Sequence, residues 1–104
     1  MSIMIEDYTF DGPFARVEEL NEKAGVYAVV CLMSNQKHFL LDVGESDDIR
    51  NAIEYHDRKD CWISNCKGNI LVAALYTKEM DGRGRQDIAD FIRSREFAPC
   101  GVEK

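Results

Sequence analysis

Three apolar runs divide the sequence and predict the strands of a small sheet. Residues 26–32 are apolar on both faces of an extended chain, which is typical of a central strand. A polar turn at residues 33–37 connects this run to residues 38–43, and the arrangement predicts a hairpin. Residues 70–77 form the third run, and it is the most strongly apolar of the three.

Stretches with helical spacing predict helices around these strands. Pro13 favours a first helical position and Gly25 a helix end. The apolar stripe between them comprises Phe14, Val17, Leu20 and Ala24. Further helices are predicted over residues 47–58, which open with two acids that suit a helix N-terminus, and over residues 85–95. The order α-β-β-α-β-α predicts an α+β fold, with a three-stranded, mainly antiparallel sheet flanked by helices.

Length and composition predict one globular domain spanning residues 1–104. Hydrophobic residues make up 45% of the chain and charged residues 31%, which is typical of a soluble protein rather than a disordered segment. The sequence has no leader-like start, and no stretch approaches the roughly 20 apolar residues that span a bilayer. We therefore expect a cytoplasmic protein with no membrane partner, whose four cysteines are thiols.

The net charge of −6 is concentrated in the first half of the chain. Residues 1–53 contain ten acids and four bases, whereas residues 54–104 contain nine of each. This balance disfavours nucleic acid as a partner, because Lys and Arg supply the phosphate contacts on which such binding depends. A local nucleic-acid-binding patch is still conceivable at Arg83, Arg85, Arg93 and Arg95; the alternative is a solvated face paired with Asp87 and Asp90.

Short motifs at the strand ends resemble those of the GIY-YIG nuclease superfamily. The first strand opens with Gly25-Val26-Tyr27, where the family has G-[IV]-Y. The second ends with Asp42-Val43-Gly44, where the family has Y-[IV]-G. The family segment G-x-S-x-x-[LI] and a common histidine near the following helix end are matched by Gly44, Ser46, Ile49 and His56. The resemblance covers about residues 24–101 and adds to the prediction of a small three-stranded domain.

The resemblance implies hydrolysis of a phosphodiester, and its requirements can be compared with this chain. In the family a tyrosine helps to generate hydroxide, an arginine on the first helix stabilises the phosphorane charge, and a glutamate on the last helix holds a divalent cation. Tyr27 matches the first tyrosine, but Asp42 replaces the second. The arginine and glutamate positions correspond to Ala52 and Ala89. This is the pattern of a degenerate active site.

Three functions from different classes remain open. The first is a catalytically defective GIY-YIG-like domain that acts as a binding or interaction module and needs no cofactor. The second is an active endonuclease that uses Tyr27, His56 and Asp42 for catalysis, with Mg²⁺ or Mn²⁺ held by Asp87 or Asp90. The third is a self-associating structural domain, whose partner is a second copy or another protein.

The candidate residues also have structural interpretations. Tyr27 and His56 both fall on apolar stretches, where aromatic and histidine side chains commonly pack in a core. The acids around Gly44 are either a cation site or ordinary strand-end and helix-start residues. Cys61 and Cys66, with His56 nearby, allow a zinc site, but buried thiols are the simpler interpretation because four close ligands are not apparent.

Overall fold

Five antiparallel strands form one sheet in a computed structural model that describes residues 1–101. The strands are β1 (Ser2–Ile5), β2 (Tyr8–Phe14), β3 (Gly25–Leu32), β4 (His38–Ser46) and β5 (Asn69–Tyr76). Their order across the sheet is β1-β2-β5-β3-β4. The run predicted to be a central strand is β3, which lies between β5 and β4 and is buried along all but its last residue.

Helices cover both faces of the sheet. They are α1 (Ile49–Glu54), α2 (Lys59–Ser64) and α3 (Gly82–Arg95), and a 3₁₀ turn forms at Val17–Glu19. Helix α3 packs on one face, whereas α1, α2 and the 3₁₀ segment pack on the other. Within residues 1–101 no helix is both long enough and apolar enough to cross a membrane. The predicted α+β class is confirmed.

The predicted number of strands is wrong. The N-terminal segment was not assigned to the sheet, but it forms a hairpin whose two strands add to the three predicted ones. The overlooked signal is a period of two, since Ile3, Ile5, Tyr8 and Phe10 all contribute to the core beneath α3. Ile5 pairs with Tyr8 across a two-residue turn at Glu6 and Asp7, and Glu6 adopts a positive φ of 54°. Strands β1 and β2 thereby extend the sheet beyond β5.

No helix begins at Pro13, because strand β2 continues through it. Gly12 has a φ of 102°, which an α-helix does not allow, and an added Cβ there would crowd the Phe14 ring. At this point β2 passes from one layer to the other: Phe10 is buried beneath α3, and Phe14 packs on the α1–α2 side. The apolar stripe correctly predicted that Val17 and Leu20 pack in the core, but they do not lie on the predicted α-helix.

A bulge in β4 directs two consecutive side chains to the same face of the sheet. Leu40 and Val43 lie in the core beneath α3. Leu41 packs in the opposite core, and Asp42 bonds there to Trp62 of α2. The register between β3 and β4 shifts at this place. In a regular strand, consecutive side chains point to opposite faces of the sheet. Leu41 and Asp42 would therefore not share a face without the bulge.

Two disulfides attach α2 and the loop after it to the rest of the chain. Cys31 of β3 bonds to Cys66, and Cys61 of α2 bonds to Cys100 in the C-terminal segment. The prediction of four thiols is therefore wrong. The possible zinc site at Cys61 and Cys66 is also ruled out in this state, because both sulfurs are already in covalent bonds to other cysteines.

The N-terminal hairpin supplies a fully buried side chain to the core, so its truncation tests the architecture. We expect Phe10→Ala to lower the free energy of unfolding by about 3–5 kcal/mol, as large-to-small changes at buried aromatic positions do. The matched control is Thr9→Ala, which changes the neighbouring exposed residue of the same strand. Urea denaturation provides the measurement, and equal stability of the two variants would mean that the hairpin is not part of the core.

Candidate functional site

Tyr27 and His56 form a direct side-chain hydrogen bond. Tyr27 pairs with Gly44 across β3 and β4, and its ring lies over this glycine, so that any side chain at Gly44 would collide with the hydroxyl. The Tyr27 Oη atom is 2.7 Å from Nε2 of His56. His56 lies in the turn between α1 and α2, so the single helix predicted over residues 47–58 is interrupted where the site forms.

The hydrogen bonds of the His56 ring fix the position of its proton. Nδ1 accepts a hydrogen bond from the backbone N–H of Arg58 at 3.1 Å. A neutral ring then carries its proton on Nε2 and donates it to Tyr27 Oη. The carboxylate of Asp57 lies 3.5 Å from Nδ1, but it is exposed and the contact is longer, so the backbone bond decides the tautomer. In this arrangement His56 is a hydrogen-bond donor to the tyrosine and does not serve as its base.

Burial keeps both members of this pair neutral. Tyr27 is 5% exposed and the His56 side chain 6% exposed. Burial, and secondly the charge of Arg58, lower the pKa of His56 below its usual value. Burial and then the charge of Asp42 raise the pKa of Tyr27 to about 12, although Arg58 and Arg93 oppose this shift. At neutral pH the pair is therefore a phenol bonded to a neutral imidazole.

Asp42 is a buried carboxylate whose two oxygens are both hydrogen-bonded. Its residue exposure is 0%. Arg58 donates from Nε to Oδ2 at 2.9 Å and from Nη2 to Oδ1 at 3.1 Å. The indole Nε1–H of Trp62 donates to Oδ2 at 2.8 Å. These charge-assisted bonds offset the cost of removing the carboxylate from water. The hydrogen bond to Asp42 is the main reason that the pKa of Arg58 is raised.

Ring packing joins the two bonded groups into one unit. The rings of His56 and Trp62 have centroids 4.6 Å apart, and those of His56 and Tyr27 are 5.5 Å apart. We name the five residues that form this unit the buried polar cluster: Tyr27, Asp42, His56, Arg58 and Trp62. Arg58, with a side chain 41% exposed, is the member that reaches solvent most openly.

The acids near Gly44 do not converge on a common point. Asp42 faces the buried polar cluster, whereas Glu45 accepts a hydrogen bond from Arg85 Nε of α3 at 2.9 Å. Asp48 caps α1 by accepting from the backbone of Asn51 at 3.0 Å, and Asp47 is exposed. Across residues 1–101, no group of three or more His, Cys, Asp or Glu side chains is arranged to hold a metal ion. Asp42, Glu45 and Asp48 therefore have separate partners and do not share one.

The positions that the resemblance assigns to the arginine and the glutamate lie in opposite layers. Ala52 of α1 packs against the core on the Tyr27 side, whereas Ala89 of α3 is completely buried on the other side of the sheet. Asp87 and Asp90 are exposed on α3. Asp90 accepts hydrogen bonds from Gln86 and Arg93 at 2.8 and 2.7 Å. The aspartates thus belong to the surface of the helix.

The four arginines proposed for nucleic-acid binding have different surroundings. Arg85 is buried and bonds to Glu45 and to the carbonyl of Met80. Arg93 donates to the carbonyl of Val43 at 2.8 Å as well as to Asp90. Arg95 lies over the Phe91 ring, with 4.8 Å between guanidinium and centroid, and Arg83 is exposed. Arg85 and Arg93 are engaged in holding α3 to β4, so the four do not form one open basic patch.

Arg58 is the site residue that sequence reasoning missed. It is the last residue of the helix predicted over residues 47–58 and belongs to no motif, and Trp62 belongs to no motif either. The sequence offers one indirect signal, which is an acid at the end of an apolar strand. A carboxylate in such a place needs a buried donor or cation, but the strand itself does not say which residue provides it.

Comparisons with known proteins identify no relative. No family model matches the chain, and neither a curated protein nor a solved structure does so. The resemblance to the GIY-YIG superfamily accordingly rests on the motif residues alone.

The ion pair at Asp42 predicts that replacing Arg58 lowers the free energy of unfolding much more than replacing Arg50, an arginine of the same layer. Arg58→Met leaves a buried carboxylate without its cation and should lower the free energy of unfolding by about 2 kcal/mol. This is less than the roughly 3–5 kcal/mol of fully buried pairs, because Arg58 is partly hydrated. Arg50→Met is the control, since Arg50 is 3.7 Å from Glu22 at the surface and its loss should cost no more than about 0.5 kcal/mol. Similar urea midpoints would contradict the assigned role of Arg58.

The lowered pKa of His56 predicts a loss of stability in mild acid. Below the usual histidine pKa of 6.5, the unfolded chain takes up a proton that the folded protein still resists. The free energy of unfolding therefore falls as the pH drops through this range, by at most about 1.4 kcal/mol for each pH unit from this residue. Denaturation at pH 7.5 and 5.5 should show a smaller loss in His56→Gln than in the wild type. An equal loss in both would show that His56 titrates normally.

Proposed function

We propose that the chain is a divergent GIY-YIG-like domain without nuclease activity, which acts as a binding or interaction module. The observation that carries the proposal is the use of the motif residues in the core. Tyr27 is buried against Gly44 and His56, and Asp42 is bonded to Arg58 and Trp62. A phosphodiester would have to come within hydrogen-bond distance of such groups. Only about one-twentieth of Tyr27 and of the His56 side chain is exposed to solvent, which leaves no room for it.

The missing charged groups support the same proposal. Ala52 and Ala89 supply neither a positive charge for the transition state nor a ligand for a cation. Removing one preorganised donor to a developing charge typically costs about 10²–10³ in rate, so the loss of both groups removes most of the expected catalysis. Ala89 moreover lies on the face of α3 that packs against the core, where a glutamate would be buried among apolar side chains.

A working endonuclease is the second candidate, and one contact favours it. The 2.7 Å bond between Tyr27 and His56, with the Arg58 guanidinium nearby, places a phenol, an imidazole and a cation together. The protonation of this group argues against hydroxide formation, because the pKa of Tyr27 is about 12 and His56 donates rather than accepts. Mg²⁺ or Mn²⁺ would still be needed for this activity, and Asp87 and Asp90 remain its candidate ligands.

Nuclease assays distinguish the two candidates. Single-stranded, duplex and branched nucleic acids would be incubated with the protein and Mg²⁺ or Mn²⁺, and products separated on denaturing gels. We expect no cleavage above that of Tyr27→Phe, which lacks the hydroxyl that any mechanism based on this site requires. Tyr55→Phe serves as the control for preparation, because Tyr55 is exposed and outside the cluster. Cleavage by wild type and Tyr55→Phe that is absent from Tyr27→Phe would overturn the proposal.

A further inference from the structure

An apolar groove of about 240 Å³ lies between the segment that follows β2 and helix α2. Its floor includes Ile70 and Val72 of β5, and its walls include Val17, Ile53 and Trp62. Ile63 at the rim is 65% exposed although it is a large aliphatic residue. Concave apolar sites with a few polar groups at the mouth are the usual form of small-molecule sites, and this one has the size of a single short chain or ring system.

The two charged residues that line the groove are both basic, although the protein as a whole is acidic. The chain has a net charge of −6, yet the charged residues that line the groove are Arg16 and Lys59. Lys59 donates to the carbonyl of Glu54, which does not neutralise its charge. Arg16 Nε is 3.3 Å from Glu18, but both side chains are well exposed, so that water screens this pair strongly.

We propose that the groove binds a small amphipathic anion, with an unbranched or aromatic apolar body and one carboxylate group. The apolar body would lie against Val72 and Trp62, and the carboxylate would lie at the mouth between Arg16 and Lys59. A cationic amphiphile would bring its head group to the same two positive charges and be repelled. This ligand class goes beyond the function proposed above, and supplies that binding module with a ligand.

Trp62 makes the proposal directly measurable. It is the single tryptophan of the chain, and it lines the groove while its indole N–H bonds to Asp42. Tryptophan fluorescence therefore reports on this one side chain, which the groove and the buried polar cluster share. The Tyr27 hydroxyl does not line the groove, so a nuclease assay and a binding titration can succeed or fail separately.

The test is a fluorescence titration at pH 7.5 with decanoate and with decyltrimethylammonium, both kept below their micelle concentrations. We expect saturable binding of decanoate, with a Kd at least about tenfold lower than that of the cation, since two unit charges near a surface act on the head group. The double variant Arg16→Gln/Lys59→Gln should reduce this preference to about twofold or less. Equal binding of both amphiphiles by the wild type would overturn the proposal.

A second pair of variants assigns the binding to the groove. Ile63→Glu places an anion at the rim without removing a buried contact, and should weaken decanoate binding by about tenfold or more. Tyr55→Glu introduces the same charge at another exposed site, outside the groove, and should bind decanoate as the wild type does. Equal affinities of the two variants would overturn the assignment. So would concentration-dependent sedimentation that Ile63→Glu abolishes, because the groove would then hold a second copy.

Discussion

The burial of the Asp42 carboxylate is the constraint on which one whole layer of the structure depends. A charge without access to water is stable only where cations and hydrogen-bond donors converge on it. Arg58 and Trp62 meet this requirement, and both come from the short segment between α1 and the end of α2. The position of α2 is thereby coupled to a single acid on β4.

Covalent bonds hold the same segment in place. The disulfides connect α2 and the loop after it to β3 and to the C-terminal segment, with sequence separations of 35 and 39 residues. Bonds that close loops of this kind typically contribute about 2–4 kcal/mol, in large part by restricting the unfolded chain. The C-terminal segment also donates from the backbone of Cys100 to the carbonyl of Leu41 at 2.8 Å. Asp42 is thus enclosed by α2 with the turn before it and by the C-terminal segment, which are both outside the β3–β4 hairpin.

This use of the motif residues has a consequence for function. In a hydrolase the tyrosine, the acid and the cation would face substrate, whereas here they satisfy one another within the core. Trp62 then has two surfaces: its N–H completes the cluster, and its ring forms part of the apolar groove. The ligand binding proposed for the groove would therefore be connected with the stability of the cluster through one side chain. This division of roles is one reason for proposing a binding module rather than a hydrolase.

Apolar period and strand length were sufficient to predict β3, β4, β5 and the helical character of α3, because these depend on local burial patterns. The hairpin of β3 and β4 was also predicted, and its observed register places Tyr27 opposite Gly44. The N-terminal hairpin was missed because the two-residue spacing of Ile3, Ile5, Tyr8 and Phe10 was overlooked. The stripe at residues 14–24 was assigned to a helix because its spacing fits one, although the backbone there is mostly irregular. Only the tertiary structure decided which cation reaches Asp42 and which cysteines pair. It also decided which face of the sheet each side chain of β4 points to, before and after the bulge. These outcomes depend on a bulge and on contacts between distant segments, and local sequence patterns do not encode such contacts.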